Sequence, residues 1–282
     1  MATIVANTRT LNISGGTGPI QWRKLGDPAF RPGPPLWNGK AKLIMLEPDT
    51  DYEVLANGVL PQVVRTRSET VPKQPGGRTL EATPATLAAL APTLLPGDTL
   101  QLRGGLYRHS LPLTIAVSGT PDNYITIEAF PGEEPVITQD PGGSDAWLPQ
   151  GMAWSTPIQS SQVDAVWEGD YYLMKYYNLT DLQTLPKGPG GFFHDKANGL
   201  LYVQTLDGGD PTGKDIHVAH HKNTTEKPYG KAWEVRGSYL EFRGLTFRWC
   251  SNGMIVFGNE CVLHGCRGLA VHYLARFNGG QG

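Results

Sequence analysis

The stretch LPGDTLQLRGGLYRHSLPLTIAVSGTPDNYITIEAFPGEEPVI, residues 95–137, decides the fold. It holds short β-type runs, each closed by Gly, Pro or Asn, and leaves no room for a helix. Leu100 and Leu102 share one face of the first run. Leu111, Leu113, Ile115 and Val117 share one face of the second, and Ile125 and Ile127 one face of the third. No turn in the stretch is the Asn-Gly or Asp-Gly pair that joins tight hairpins, so the runs read better as successive coils than as an antiparallel meander.

Just upstream, LEATPATLAALAPTLLPGD (residues 80–98) is the best helix candidate in the chain. Thr83 suits an N-cap, Pro84 the first helical position, and Leu87, Leu90, Leu94 and Leu95 make an apolar stripe that Pro92 cuts short. A short amphipathic helix ahead of stacked coils suits a cap over an open strand edge.

A second β-rich patch, residues 238–274, repeats the pattern. Leu240, Phe242, Leu245 and Phe247 read as an inward set. GMIVFG and GLAVHY begin at Gly253 and Gly268, with Leu269 and Val271 expected inside and His272 outside. Between the patches, residues 140–231 read as an insertion, and GFFHDKANGLLYVQT within it is a hairpin signal.

PGDTLQLRGGLY, SGTPDNYITIEAFPGEEPVI and the later YLEFRGLTF resemble the first coils of right-handed parallel β-helix proteins of the pectate-lyase-like type. These include polysaccharide lyases and glycoside hydrolases. A separate segment resembles a fibronectin type III module, over residues 5–70. Its Leu46-x-Pro48-x-Thr50-x-Tyr52-x-Val54 is similar to a tyrosine corner, and IQWRKLG would be its central strand. Trp22, Trp37 and Tyr52 are expected in that module's core, with Arg65 and Arg67 on a solvated face.

The expected fold class is therefore all-β. A small β-sandwich (1–70) and a linker (71–78) precede a right-handed parallel β-helix (79–282). The helix has a short capping helix and an inserted antiparallel region at about 140–231. Its last coil lacks a cap at Gly282, which predicts further coils beyond it.

Composition agrees with turn-rich β structure. Gly 35 and Pro 23 together make about a fifth of 282 residues, against about 12% in average usage. Net charge is -2, without the clustered basic face of a nucleic-acid binder, and no apolar run suits a membrane span. The start, MATIVANTRT, shows no signal peptide. Cys250, Cys261 and Cys266 are too few and too unevenly spaced for a disulfide framework and read as small core residues.

What the resemblance implies is an enzyme cleaving an extracellular polysaccharide, lyase or hydrolase, at a cell or virion surface. The competing reading is a non-catalytic phage tail, adhesin or carbohydrate-binding rod. A hydrolase needs two carboxylates, and a lyase needs a base plus a cation for the uronate, with Ca²⁺ as the one cofactor a lyase would add. The catalytic candidates are His272, Arg276 and Glu241, and the substrate-binding candidates are Arg243, Phe257, Arg267 and Asn278. His217, His220, His221 and Lys222 lack the further partners a metal needs, so no metal site is expected. Trp147, Trp154, Trp167 and the tyrosines at 171, 172, 176 and 177 are expected mostly in the core of the insertion.

Overall fold

In the computed structural model the chain divides after Val71 into two units. The residues described are 2–6, 10–56, 60–66, 70–108, 111–142, 146–158, 162–184, 189–221 and 230–278; Arg67 and Lys222 lie outside them.

The first unit has strands β1 (Thr3–Ala6), β2 (Leu11–Ser14), β3 (Gln21–Lys24), β4 (Arg31–Pro32), β5 (Lys40–Leu43), β6 (Asp51–Leu55) and β7 (Gln62–Arg65). They pair antiparallel as β1-β2-β5 and β4-β3-β6-β7. Alternation sends Leu11, Ile13 and Leu43 from one sheet, and Tyr52 and Val54 from the other, into a shared core. The Glu47 N–H donates to the Tyr52 hydroxyl at 2.8 Å, which ties the β6 entry to the chain just before it. Trp22 packs at the core margin, 5.7 Å from the Tyr52 ring. Arg65 pairs with Asp49 and Asp51.

Trp37 corrects the expectation of a core residue, since it is 80% exposed. The cause is local. Asn38 and Gly39 both take positive φ (49° and 70°), forming the tight turn that Asn-Gly favours, and Trp37 pairs directly with Lys40. Paired residues share a face. Lys40 lies opposite Ser14 on the outer face, because Ala41, Ile13, Leu43 and Leu11 take the inner one.

The second unit opens with β8 (Thr79–Ala82), then α1 (Leu87–Leu90) and one 3₁₀ turn (Ala91–Thr93). The helix is shorter than expected because Thr79–Ala82 pairs in parallel with the next strand, and its N-cap is Thr86 rather than Thr83. Leu87, Ala91 and Leu94 are buried beneath it, whereas Leu95 is 57% exposed, contrary to the expected stripe.

Four coils follow. The first holds β9 (Thr99–Leu102), β10 (Gly105–Arg108) and β11 (Leu113–Ile115). The second starts with β12 (Ile125–Ala129) and β13 (Pro135–Thr138). It is then interrupted by an antiparallel excursion: β14 (Leu148–Gln150), β15 (Ala153–Pro157), β16 (Gln162–Glu168), β17 (Tyr171–Tyr172), β18 (Met174–Lys175), α2 (Leu179–Thr184), β19 (Gly191–Asp195), β20 (Leu200–Gln204) and β21 (Ile216–His221). The second coil resumes with β22 (Trp233–Val235). The third has β23 (Leu240–Arg243) and the long β24 (Thr246–Val256), and the fourth has β25 (Cys261–His264) and β26 (Arg267–Phe277).

All pairings between coils are parallel, as a β-helix requires. The first face is β25-β23-β12-β9-β8. Because β24 and β26 bend, their first halves extend the β10-β13 face and their second halves extend the β11-β22 face. Leu80, Leu100, Ile127, Phe242 and Leu263 form one inward column. Leu240, Phe242, Leu245 and Phe247 are fully buried. Cys250 is buried and Cys261 and Cys266 are half-buried, all three free thiols against this core, and burial pushes the Cys250 thiol up to about 12.

The PGD turn has a specific use. Gly97 adopts φ +91°, and the buried Asp98 carboxylate accepts the N–H groups of Arg78 and Leu95 while pairing with the Arg78 guanidinium. At the corner between the third and first faces, coils meet backbone to backbone. The Ser118 hydroxyl accepts the Ser238 N–H, and the Ser238 hydroxyl accepts the Asn259 N–H, each at 3.0 Å.

The excursion has its own core, with Val163, Val166, Phe192, Leu201 and Val203 at its centre. β19 and β20 form the hairpin read from GFFHDKANGLLYVQT. Trp167 and Tyr176 are buried, and Trp147 and Tyr172 pack partly against the core, but Tyr171 and Tyr177 are 47% and 80% exposed and so correct the expectation of burial. Among the described residues, no helix is long and apolar enough to cross a membrane.

A Cβ on Gly237 would lie 1.7 Å from the Val117 carbonyl oxygen. Gly237→Ala should therefore force the first and second coils apart at this corner, costing about 1–3 kcal/mol or more. The loss is measurable as a lower urea midpoint.

Candidate functional site

Parallel stacking turns sequence alternation into columns of outward side chains, one per coil, about 4.8 Å apart. On the first face the register gives two such columns. One is Thr79, Thr99, Thr126, Glu241 and Val262, and the other is Glu81, Gln101, Glu128, Arg243 and His264. Glu128 and Glu241 thus project from adjacent coils as diagonal neighbours. Two residues along the strand and one strand across put them roughly 8 Å apart at the backbone.

Glu241 is only 1% exposed. Its Oε2 accepts the Thr126 hydroxyl at 3.2 Å. Its Oε1 lies 2.7 Å from Arg243 Nε and 3.6 Å from His264 Nδ1, yet none of these three atoms has an aligned hydrogen bond. A buried carboxylate oxygen with a guanidinium and an imidazole beside it and no committed hydrogen bond has capacity for another partner. Glu128 accepts from Gln101 Nε2 at 2.9 Å.

Lys73 lies along this face, bonded to Thr99, to the Asp98 carbonyl and to the Thr126 hydroxyl. Burial pushes its ammonium below the ordinary lysine range, against the opposing pull of Glu128 and Glu241. The face therefore gathers two carboxylates, an arginine, a histidine and a partly desolvated lysine.

Of the sequence candidates, Glu241 and Arg243 come together here, and His264 joins them. The others lie on the remaining faces. His272 on β26 sits 5.2 Å from the Tyr172 ring and 6.2 Å from Trp167, at the margin of the excursion. Arg267 reaches Glu134 at 3.2 Å. Arg276 stacks over Tyr273, and Arg236 over Phe257. The Asn278 N–H donates to the Val256 carbonyl. The expected trio of His272, Arg276 and Glu241 is therefore not one constellation. Leu269, expected inside, is 43% exposed, because Ala270 takes φ +50°, opposite Trp249 at φ +53°, and this bend of the paired strands breaks the alternation, turning Leu269 outward beside Arg248 while Val271 stays against the core.

Sequence reading missed Glu128 and Lys73. The signal for Glu128 lay in aligning Ile125-Thr-Ile-Glu-Ala with Leu240-Glu-Phe-Arg-Gly, so that alternate residues stack. Lys73 carries no such signal, since it falls in the linker.

A second polar cluster anchors the excursion. Asp140, 1% exposed, pairs with Arg108 at 2.8 Å and His217 Nδ1 at 2.9 Å, and His217 Nε2 meets Asp215 at 2.8 Å. The His217 ring stacks on Trp249, 3.3 Å between centroids. Both nitrogens of His217 are thus occupied. Among the described residues no group of three or more His, Cys, Asp or Glu converges as a metal site would.

No protein-family model matches the chain, and no curated protein sequence matches it. Three solved structures are similar at low identity. A complex of XylC with xylose has 12% identity and a TM-score of 0.49, over 66% of this chain and 40% of that one. A glycoside hydrolase has 11% identity and a TM-score of 0.44, over 61% and 50%. The Yersinia enterocolitica family 28 exopolygalacturonase has 11% identity and a TM-score of 0.32, over 95% and 59%. The chain thus spans between 40% and 59% of the lengths of the structures it matches.

Burial alone would raise the Asp140 carboxyl, but hydrogen bonds from His217 and Arg108 hold it below the usual range. A depressed carboxyl stabilises the fold above its unfolded value and loses that contribution as pH falls through its folded value. Asp140→Asn should cost about 3–5 kcal/mol near neutrality, as expected for a broken buried pair. Urea titrations should show the difference shrinking below about pH 4.

Proposed function

We propose that the chain acts on a polysaccharide by acid–base cleavage of a glycosidic bond on the first solenoid face. Glu128 and Glu241 are the working pair. The observation that carries this reading is their placement on adjacent coils at a diagonal. Hydrolytic carboxylate pairs stand about 5–9.5 Å apart, and two glutamates on one face with backbones roughly 8 Å apart have side chains long enough to set their carboxyl groups at such a separation. Arg243 and Lys73 set cations beside the pair, with the His264 imidazole next to them, which suits a polymer bearing carboxylates. The flat, regularly spaced face suits an extended chain lying along or across the coils. The first unit, with its two antiparallel sheets and the Tyr52 contact, acts as a fibronectin III-type companion module, and the setting is extracellular or at a cell or virion surface.

A lyase is the second reading, and Lys73 favours it. A lysine held below its usual range can take the proton beside a uronate carboxylate, while Arg243 neutralises that carboxylate.

The test is incubation with acidic and neutral polysaccharides, following both reducing ends and the ultraviolet absorbance of an unsaturated uronate. New reducing ends without that absorbance are expected. Glu241→Gln and Glu128→Gln should each slow the reaction about 10²–10⁴-fold with the fold intact. Absorbance that vanishes in Lys73→Met would replace hydrolysis by elimination. Activity unchanged in all three variants would overturn the proposal by moving the chemistry off this face, and no activity on any polymer would overturn it and leave the rod or adhesin reading.

A further inference from the structure

The first unit carries a surface that the solenoid chemistry does not use. We propose that the outer face of the β1-β2-β5 sheet is a binding platform for an acidic polysaccharide, a chain of uronate-bearing sugars. The register places Val5, Asn12, Ser14, Lys40 and Lys42 on that face, with Trp37 at its edge, around a concavity of about 670 Å³.

The occupant follows from the chemistry of these side chains. Trp37 presents its indole to solvent at 80% exposure, fixed there by the Asn38-Gly39 turn rather than by lack of space in the core. An exposed aromatic plane matches the apolar face of a pyranose ring. Asn12 and Ser14 offer hydrogen bonds to hydroxyl groups beside it.

Charge supplies the second observation. The other sheet of this unit spends its cations internally: Arg23 on Glu53, Lys24 on Glu47, Arg31 on Asp27, and Arg65 on Asp49 and Asp51. Lys40 and Lys42 have no carboxylate partner among the described residues, and no acid lines the concavity. Two unspent ammonium groups beside an aromatic plane complement a sugar that carries a negative charge. A nucleic acid would need a broader basic stripe, and the chain as a whole is at -2.

The test uses the full chain in affinity electrophoresis, in gels containing polygalacturonate, dextran sulfate or neutral dextran. Polygalacturonate should retard the protein, less so as salt rises. Trp37→Ala should weaken binding about tenfold with an unchanged thermal midpoint, since the indole is exposed. Lys40→Gln/Lys42→Gln should weaken it similarly and remove most of the salt sensitivity. Arg65→Gln, which removes one positive charge from the other sheet of the same unit, should be retarded like the unaltered chain, which separates this platform from a general effect of charge. The proposal is overturned if both platform variants migrate like the unaltered chain in polygalacturonate. It is equally overturned if the protein is retarded only by dextran sulfate or neutral dextran, or by no polymer at all.

Discussion

The second unit depends on one constraint: each apolar side chain must sit directly over its counterpart in the coil below. Leu100, Ile127 and Phe242 obey it on the first face, and Tyr107, Ile137 and Phe247 on the second. A slip of one residue would turn every inward side chain outward. The register is therefore over-determined, and corner contacts reinforce it. The Ser118–Ser238–Asn259 bonds set the coils in phase where the chain turns, and Gly237 and Gly258 leave no side chain to hold them apart.

The same constraint builds the outer surface. A column that must stack inward also stacks outward, so Thr126 has to meet Glu241 and Glu128 has to meet Arg243. The polar face is then a ladder in which neighbours bond across coils. Its unbonded atoms gather where the ladder brings an acid, an arginine and a histidine together. The excursion is held differently, by a buried Asp140 that must find Arg108 and His217 or remain an uncompensated charge.

Much of this was legible in the sequence where a pattern repeats. PGDT, ITIEA and LEFRG show strand, turn and facing, and the inward set follows from alternation alone. What escaped had local or long-range causes. A single left-handed residue, Ala270, re-aims Leu269, and alternation cannot see it. Trp37 looked like core by residue type, although the Asn-Gly beside it already dictated which face it shares with Lys40. The pairing of Glu128 with the later coil spans the whole excursion, and Lys73 reaches the face from a segment that reads as linker. The fold was thus more readable than the site, because a fold is a repeat and a site is a coincidence of positions.

The position of the excursion within a coil, rather than between coils, also bears on the order of assembly. β12 has β9 on one side and must wait for β23 on the other. The two partners of that second pairing are 115 residues apart, against 24 for the contact between Phe242 and Cys266 one coil later. Closing the longer loop costs roughly 1.4 kcal/mol more, and a separately collapsing excursion core reduces that by shortening the effective loop. During synthesis at about 5–20 residues per second, the β12 edge would stay open for roughly 5–20 s. Over that interval the short length of the strand and the charge of Glu128 are what protect a nascent chain from pairing with its neighbours.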